Sequence, residues 1–373
     1  MPRNLEKISF PYRSADHLPF LYVVGESGSW AKHGLDVEYD KVISKADAHD
    51  QVASGAVEFV GGNHISTYGK RARGDKWVYL GQTLNSVNPK LAVRQDSGIN
   101  GIADLRGKRV GTQGNHPGLN DWLLLKQRGL DVDRDDYELV RKVDGVESAE
   151  EGDQLGPGAK EIKRLPLWQW VRDGKVDVAL LLPPADLFAA DAGLKLIDIE
   201  PLPMIWFTTI SSSLPFVEKH SDLVERFLKG LVEGTHFFKS EREKSIEIIQ
   251  RRYTRFGQLK HEQAAYMWQS LAPLLSPKLY PSMRAISNVY EEAIRLDKDA
   301  LKVNPMELWD THHIRRIDDS GFVSRLYEAA KAGPDVKHAR DPEFQKEQAK
   351  KQDEIIAAVK ACGHRMTETC GCH

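Results

Sequence analysis

The sequence predicts an α/β protein of two lobes facing one cleft, followed by a helical C-terminal extension. Two observations carry that prediction. The first is a phrase that occurs twice, as Val52-Ala-Ser-Gly-Ala-Val-Glu-Phe-Val60 and as Val171-Arg-Asp-Gly-Lys-Val-Asp-Val-Ala179. In each copy a helix-like run stops at a glycine (Gly55, Gly174), with a valine two positions on and an acid next (Glu58, Asp177). Glycine takes the left-handed C-cap conformation without a Cβ penalty, and an apolar run directly after it reads as a buried parallel strand. The second is the change of pattern past residue 213, where short apolar runs give way to long helical periodicities.

Open α/β sheets bind ligands outside the carboxyl ends of their strands. The lips of the cleft are therefore expected at Gly61-Gly62-Asn63-His64 and at Pro183-Pro184-Ala185-Asp186.

In chain order, residues 6–12 predict a strand and 18–33 a helix closed by Gly34. Residues 35–39 alternate as a strand, and a helix ending at Gly55 leads to a strand over 57–60. A basic helix (Lys70, Arg71, Arg73) reads as a solvated face and is closed by Gly74, and 77–83 is a strand. The second lobe begins near 88, with strands at 91–93, 108–112 and 194–198, a short helix ending at Gly107 and a helix over 119–128. Residues 141–164, acidic and glycine-rich, read as a surface excursion. A strand over 203–213 returns to the first lobe, and helices follow at 217–239, 240–252, 260–272, 282–297 and 321–332. The resulting division is 1–87 with 204–320 for the first lobe, 88–203 for the second, and 321–373 for a helical tail with a Cys/His-rich end.

With 373 residues the chain can hold two cores. Its 52 basic and 54 acidic residues leave a net charge of −2, so no nucleic-acid partner is implied. No run approaches the roughly 20 apolar residues of a membrane span. Residues 1–10 run straight into a predicted strand, without an apolar stretch and small-residue cleavage site, so the chain as written is expected in the cytoplasm, or in the periplasm if a signal peptide was removed. All three cysteines fall near the C-terminus, at 362, 370 and 372, so the body has neither a disulfide nor a thiol nucleophile.

Four stretches in order resemble one branch of the type II periplasmic-binding-protein fold. They are His17-Leu18-Pro19-Phe20 with Gly34-Leu35-Asp36-Val37, Gly55-Ala-Val-Glu-Phe59, Asp104-Leu-Arg-Gly-Lys-Arg-Val-Gly111, and Gly174-Lys-Val-Asp-Val178. The branch holds nitrate/sulfonate/taurine-type solute-binding proteins and the THI5-like pyrimidine synthases. The resemblance covers roughly residues 6–250. It implies either ABC-transporter-type solute capture or an enzyme on the same scaffold. For the pyrimidine synthases it implies a histidine where His64 stands, but also a pyridoxal-phosphate lysine where this chain has Val60, and a cysteine cluster where residues 204–209 read Met-Ile-Trp-Phe-Thr-Thr. A second enzymatic relative, the aromatic sulfinate desulfinase, places its cysteine in the loop after strand 1. Here that loop, Tyr12-Arg13-Ser14-Ala15-Asp16, has none.

The predicted cleft collects Arg13, His17, Lys45, His49, Asn63, His64, Gln113, Asn115 and His116, several of them where helices begin. Unpaired N–H groups at helix starts beside basic side chains suit a carboxylate, sulfonate or sulfinate. His17 fits packing equally well. His64 is the acid–base candidate if the protein is an enzyme, because an imidazole titrates near neutrality. Pro184 and Trp206 are expected to line the cleft, Trp206 as a hinge-strand aromatic, with Tyr12, Tyr68 and Trp122 as further stacking candidates or plain core. The tail packs Cys362, His364, Cys370, Cys372 and His373 together, a donor set for Zn²⁺ or Fe²⁺. His312-His313 reads as structural. The expected partners are a small organic anion, with an ABC permease or a second copy of the chain as protein partner.

Overall fold

The computed structural model describes residues 5–12, 18–43, 45–62, 67–112, 121–143, 146–147, 166–254 and 258–331. Residues Met1–Val323 form one compact unit and Ser324–His373 a second.

The first lobe starts with β1 (Glu6–Ser9), α1 (Leu18–Glu26), α2 (Ser29–Lys32) and β2 (Leu35–Glu38), the two strands pairing in parallel from Glu6–Leu35 to Ser9–Glu38. The single helix expected over 18–33 is broken, because Gly28 adopts φ 72° and the Ser27 and Ser29 hydroxyls donate to Val24 O. There follow α3 (Lys45–Ala53), β3 (Val60–Gly61), α4 (Thr67–Ala72) and the long β4 (Trp77–Val87).

The second lobe comprises β5 (Lys90–Val93), β6 (Arg109–Gly111), α5 (Asp121–Lys126), β7 (Glu138–Val140), β8 (Lys142–Val143), β9 (Val146–Glu147), α6 (Leu167–Arg172), β10 (Val178–Leu181), α7 (Ala185–Asp191) and β11 (Lys195–Asp198). Its sheet has the order β11-β5-β10-β6-β7, with β10, β6 and β7 parallel and β5 antiparallel to both its neighbours. Leu167, Trp170, Val171 and Val176 fill one face, and Trp122, Leu123, Leu124 and Leu125 belong to the core on the other. Part of the expected surface excursion is a small ribbon of β8 and β9; residues 148–165 lie outside the described residues.

The chain returns through β12 (Leu202–Ser213), which inserts between β3 and β4. Among the described residues seven α-helices follow: α8 (Leu214–Lys219), α9 (Ser221–Ser240), α10 (Arg242–Arg252), α11 (His261–Leu271), α12 (Met283–Leu296), α13 (His312–Asp319) and α14 (Phe322–Lys331). The helix expected over 217–239 is two, since Pro215 fits a first turn and Ser213 caps it by accepting from Phe216 N, while α9 restarts after His220. α9 drives Phe227 into the first-lobe core, stacked on Phe59 at 4.1 Å between ring centroids and edge-on to Phe10 at 5.0 Å. Each such pair adds about 0.5–1.5 kcal/mol beyond its buried area.

The helix α12 packs against the second lobe: Lys126 pairs with Glu291 at 2.5 Å, Arg295 with Asp133, and Gln127 donates to Asn288 Oδ1 at 2.9 Å. It also contacts α4 of the first lobe, which accounts for one compact unit up to Val323.

Candidate functional site: the cleft between the lobes

Both copies of the repeated phrase fold the same way. Gly55 and Gly174 sit at φ 73° and 68°. Gly55 N donates to Val52 O and Ala56 N to Gln51 O, while Gly174 N donates to Val171 O and Lys175 N to Trp170 O. The acids then reach sideways: Glu58 Oε2 accepts from Ser9 N and Asp177 Oδ2 from Arg109 N, each at 2.8 Å. In the first copy the expected strand 57–60 shortens to Val60–Gly61.

These strands deliver the lips. Gly61 lies where a Cβ would stand 3.2 Å from Tyr12 Cβ and 3.3 Å from Phe10 Cζ, so only glycine lets β3 close on the end of β1 without displacement. Gly62, at φ 80°, donates to Thr209 O at 3.0 Å. In the second lobe Thr112 follows β6, and a cis Pro183–Pro184 bond follows β10 and opens α7.

The floor is the antiparallel pair β4–β12, which runs between the lobes. Its register slips between Pro203 and Trp206 and again before Thr209. Phe207 there takes φ 66°, a left-handed conformation uncommon outside glycine and concentrated where function constrains the backbone. The bulge leaves Trp206 half-buried against the second-lobe core. Around it Gln82, Thr83, Thr208 and Thr209 are fully buried. Thr209 Oγ1 donates to Gln82 Oε1 at 2.7 Å, Gln82 Nε2 donates to Trp206 O and Leu84 O, and Thr83 Oγ1 donates to Thr208 O at 2.9 Å. A strand pair whose buried polar groups satisfy one another holds its shape.

Two acids of the second lobe have raised pKa values. Asp186, nearly inaccessible at the start of α7, accepts from Leu187 N at 2.8 Å and from the Tyr266 hydroxyl of α11. Burial pushes its pKa up. Since α11 packs on α10 and α10 on α1, this bond ties the second lip to helices stacked on the first lobe. Asp121 begins α5, directly after residues 113–120, with Thr112 Oγ1 at 3.4 Å. Although the residue is only half-buried, burial pushes its carboxyl up to about 8. Glu292 of α12 is buried and its pKa raised, first by burial and then by Asp121, and its Oε2 makes no hydrogen bond among the described residues. Polar residues in the otherwise apolar 77–87 and 202–213 runs are the sequence signal for the hinge network. The Asp186–Tyr266 contact has no local signal, because its partners are 80 positions apart.

Of the predicted site residues, Trp206 is half-buried at the hinge and Pro184 is buried at the cis bond. Arg13, His17, Asn63, His64, Gln113, Asn115 and His116 lie outside the described residues, as do the side chains of Lys45 and His49 and the tail donors Cys362, His364, Cys370, Cys372 and His373. Tyr12, Tyr68 and Trp122 are core. Arg73 is no bare solvated cation, since it pairs with Asp297 at 2.7 Å and Asp299 at 3.0 Å.

Residues 14–152 match the family model described as NMT1/THI5 like. The chain is 25% identical over 224 residues to the 4-amino-5-hydroxymethyl-2-methylpyrimidine phosphate synthase of Schizosaccharomyces pombe, covering 59% of this chain and 61% of that protein. It thus spans less than two thirds of the length of the curated relative it matches. Among solved structures it is similar to the periplasmic aliphatic sulphonate binding protein SsuA of Escherichia coli (TM-score 0.58, 16% identity, 81% of this chain and 96% of that one). It is also similar to a mutant of the desulfurization enzyme DSZB in complex with biphenyl-2-sulfinic acid (TM-score 0.57, 18% identity, 84% and 99%). The chain therefore has the type II periplasmic-binding-protein fold, and over residues 14–152 it carries an NMT1/THI5-like segment.

Proposed function

We propose that this protein captures a small organic anion between its lobes, in the manner of a solute-binding protein. The observation that carries the reading is the long, register-shifted β4–β12 pair, whose buried polar groups satisfy one another, between a first-lobe strand that ends in glycines and a second-lobe strand that ends in prolines. Closure of the lobes about the β4–β12 pair would enclose the ligand, Trp206 would stack on any planar part of it, and Tyr266–Asp186 would hold the closed form. Arg13, Asn63, His64, Gln113, Asn115 and His116 are the proposed anion donors. The sulfonate ligand named for SsuA supports a sulfonate, sulfinate or carboxylate as the class. In this role the protein would work in the periplasm with an ABC permease.

The second reading is a cytoplasmic enzyme on a small aromatic acid, sulfinate or pyrimidine precursor, favoured by the synthase relative and by DSZB. Pyridoxal phosphate does not fit it. Val60 stands where the resemblance calls for the cofactor's lysine, is fully buried, and accepts at its carbonyl from Ser211 Oγ at 3.1 Å. His64 would be the acid–base group, and the Cys/His tail a Zn²⁺ or Fe²⁺ site.

Titration calorimetry with an alkanesulfonate, an aryl sulfinate and an aryl carboxylate, with product analysis of each mixture, tests both readings. One tight ligand left chemically unchanged, with affinity lowered about tenfold or more by Trp206→Ala, supports capture. Turnover that His64→Ala abolishes replaces capture by the enzyme reading. No binding of any anion overturns the proposal.

A further inference from the structure

We propose that Asp310, His312 and His313 bind a divalent transition-metal ion of the Zn²⁺ type that pins the start of α13 to the first lobe. One ligand atom from each of the three residues lies within 4.8 Å of the others. Zinc ligands at about 2.0–2.2 Å stand roughly 3.3 Å apart in a tetrahedron, so small side-chain rotations bring the three donors onto one ion. The ion-pairing of carboxylate and imidazoles suits a borderline metal rather than Ca²⁺ or Mg²⁺.

The independent observation is His313. Its side chain has no exposed area, and neither ring nitrogen makes a hydrogen bond among the described residues. A buried polar group left unpaired costs on the order of 1–3 kcal/mol, and an apolar side chain of similar size would avoid that cost. Packing alone thus gives no reason for an imidazole there, whereas a metal uses one nitrogen directly. Glu225 of α9, paired with Arg316 at 3.0 Å, stands 3.8 Å from His313 Nδ1. A carboxylate behind a ligating imidazole fixes its orientation and raises its basicity.

The other two donors are preset. Asp310 N donates to Tyr79 O at 2.9 Å, and Trp309 bridges Tyr79 in parallel, which fastens the segment to β4. Asp310 Oδ1 accepts from His312 N at 3.1 Å and contacts His312 Nδ1. The two imidazoles lie 3.7 Å apart between centroids. His312 is 55% exposed, which leaves an entry path. The pair that reads as structural in the sequence is thus assigned a ligand role, independent of what the cleft binds.

The test uses the full chain with Cys362→Ser, Cys370→Ser and Cys372→Ser, which removes thiolate sites in the tail. Native mass spectrometry and Zn²⁺ titration are expected to find one equivalent bound. A Co²⁺ substitute should give a visible spectrum without a thiolate charge-transfer band. His312→Ala and Asp310→Asn, both at exposed or partly exposed positions, should each weaken binding on the order of 100-fold or more, beyond the 10–100-fold typical of an outer-shell change. Zn²⁺ should raise the melting temperature of the cysteine-free parent and not of these variants. A cysteine-free chain that binds no Zn²⁺, or binding unmoved by both substitutions, overturns the proposal.

Discussion

The two copies of the glycine–valine–acid phrase fold by the same hydrogen bonds and then part company. In the first lobe the acid, Glu58, holds one backbone N–H of β1. In the second, Asp177 holds the equivalent N–H of β6 and also a guanidinium, Arg109 Nη2 at 2.9 Å, while Arg109 itself reaches Gly174 O and Lys175 O. The first copy ends in two glycines pressed between β1 and β12; the second ends in two prolines and a helix. A local signal repeated in sequence therefore sets the helix stop and the strand, while the neighbours it meets decide how firmly each lip is held.

The largest expected effect concerns a second-lobe carboxyl held the opposite way from Asp177. The pKa of Asp121 is pushed up to about 8 from an ordinary 3.8 by burial, so the unfolded chain releases this proton while the folded chain keeps it. Stability then falls as pH rises from about 4 to about 8, with a slope of about 1.4 kcal/mol per pH unit from this group. Asp121→Asn should remove that slope in urea titrations at stepped pH; an unchanged slope would show the carboxyl to be ionised in the fold. Next comes the comparison of the acids. Asp177→Ala should cost about 2–3 kcal/mol and Glu58→Ala about 1–2 kcal/mol in urea unfolding, and equal losses would mean that Arg109 adds nothing.

Asp177 is held below its usual range, first by the hydrogen bond from Arg109. Its stabilisation is present above the ordinary carboxylate value and is lost as pH falls through the lowered one. Asp177→Asn should flatten the acid limb of the stability profile below about pH 4. The smallest effect is expected at the glycines. Gly55→Ala and Gly174→Ala should each cost about 1 kcal/mol for a side chain at positive φ. Gly174 should cost the more, because a Cβ there meets Arg94 Nη1 at 3.2 Å and one at Gly55 meets nothing within 4 Å.

The repeat made the fold legible, because a glycine stop followed by a buried strand is a local device that needs no distant partner. Gly55, Gly174 and the strand ends at Gly61 and Leu181 fall where the pattern puts them. Breaks such as Gly28 and His220 were not legible, since the flanking runs keep helical periodicity across them. The cleft is another matter: most residues the sequence points to there lie outside the described ones. Trp206 falls within the return strand that the sequence predicts, yet its partial exposure comes from a bulge that no spacing announces. Asp186 reads as a lip residue, but its meeting with Tyr266 depends on how α11 stacks, a matter of tertiary packing.

The position of β12 between β3 and β4 also bears on the order in which the protein is made. The first lobe lacks its middle strand until Ser213 leaves the ribosome, while every strand of the second lobe's sheet is contiguous between Lys90 and Asp198. Nascent chains are therefore expected to assemble the later-encoded lobe first, with its α12-facing side uncovered until Leu296 emerges. Pulse proteolysis of chains stalled near residue 250 should accordingly protect a fragment from the middle of the sequence before one from its start.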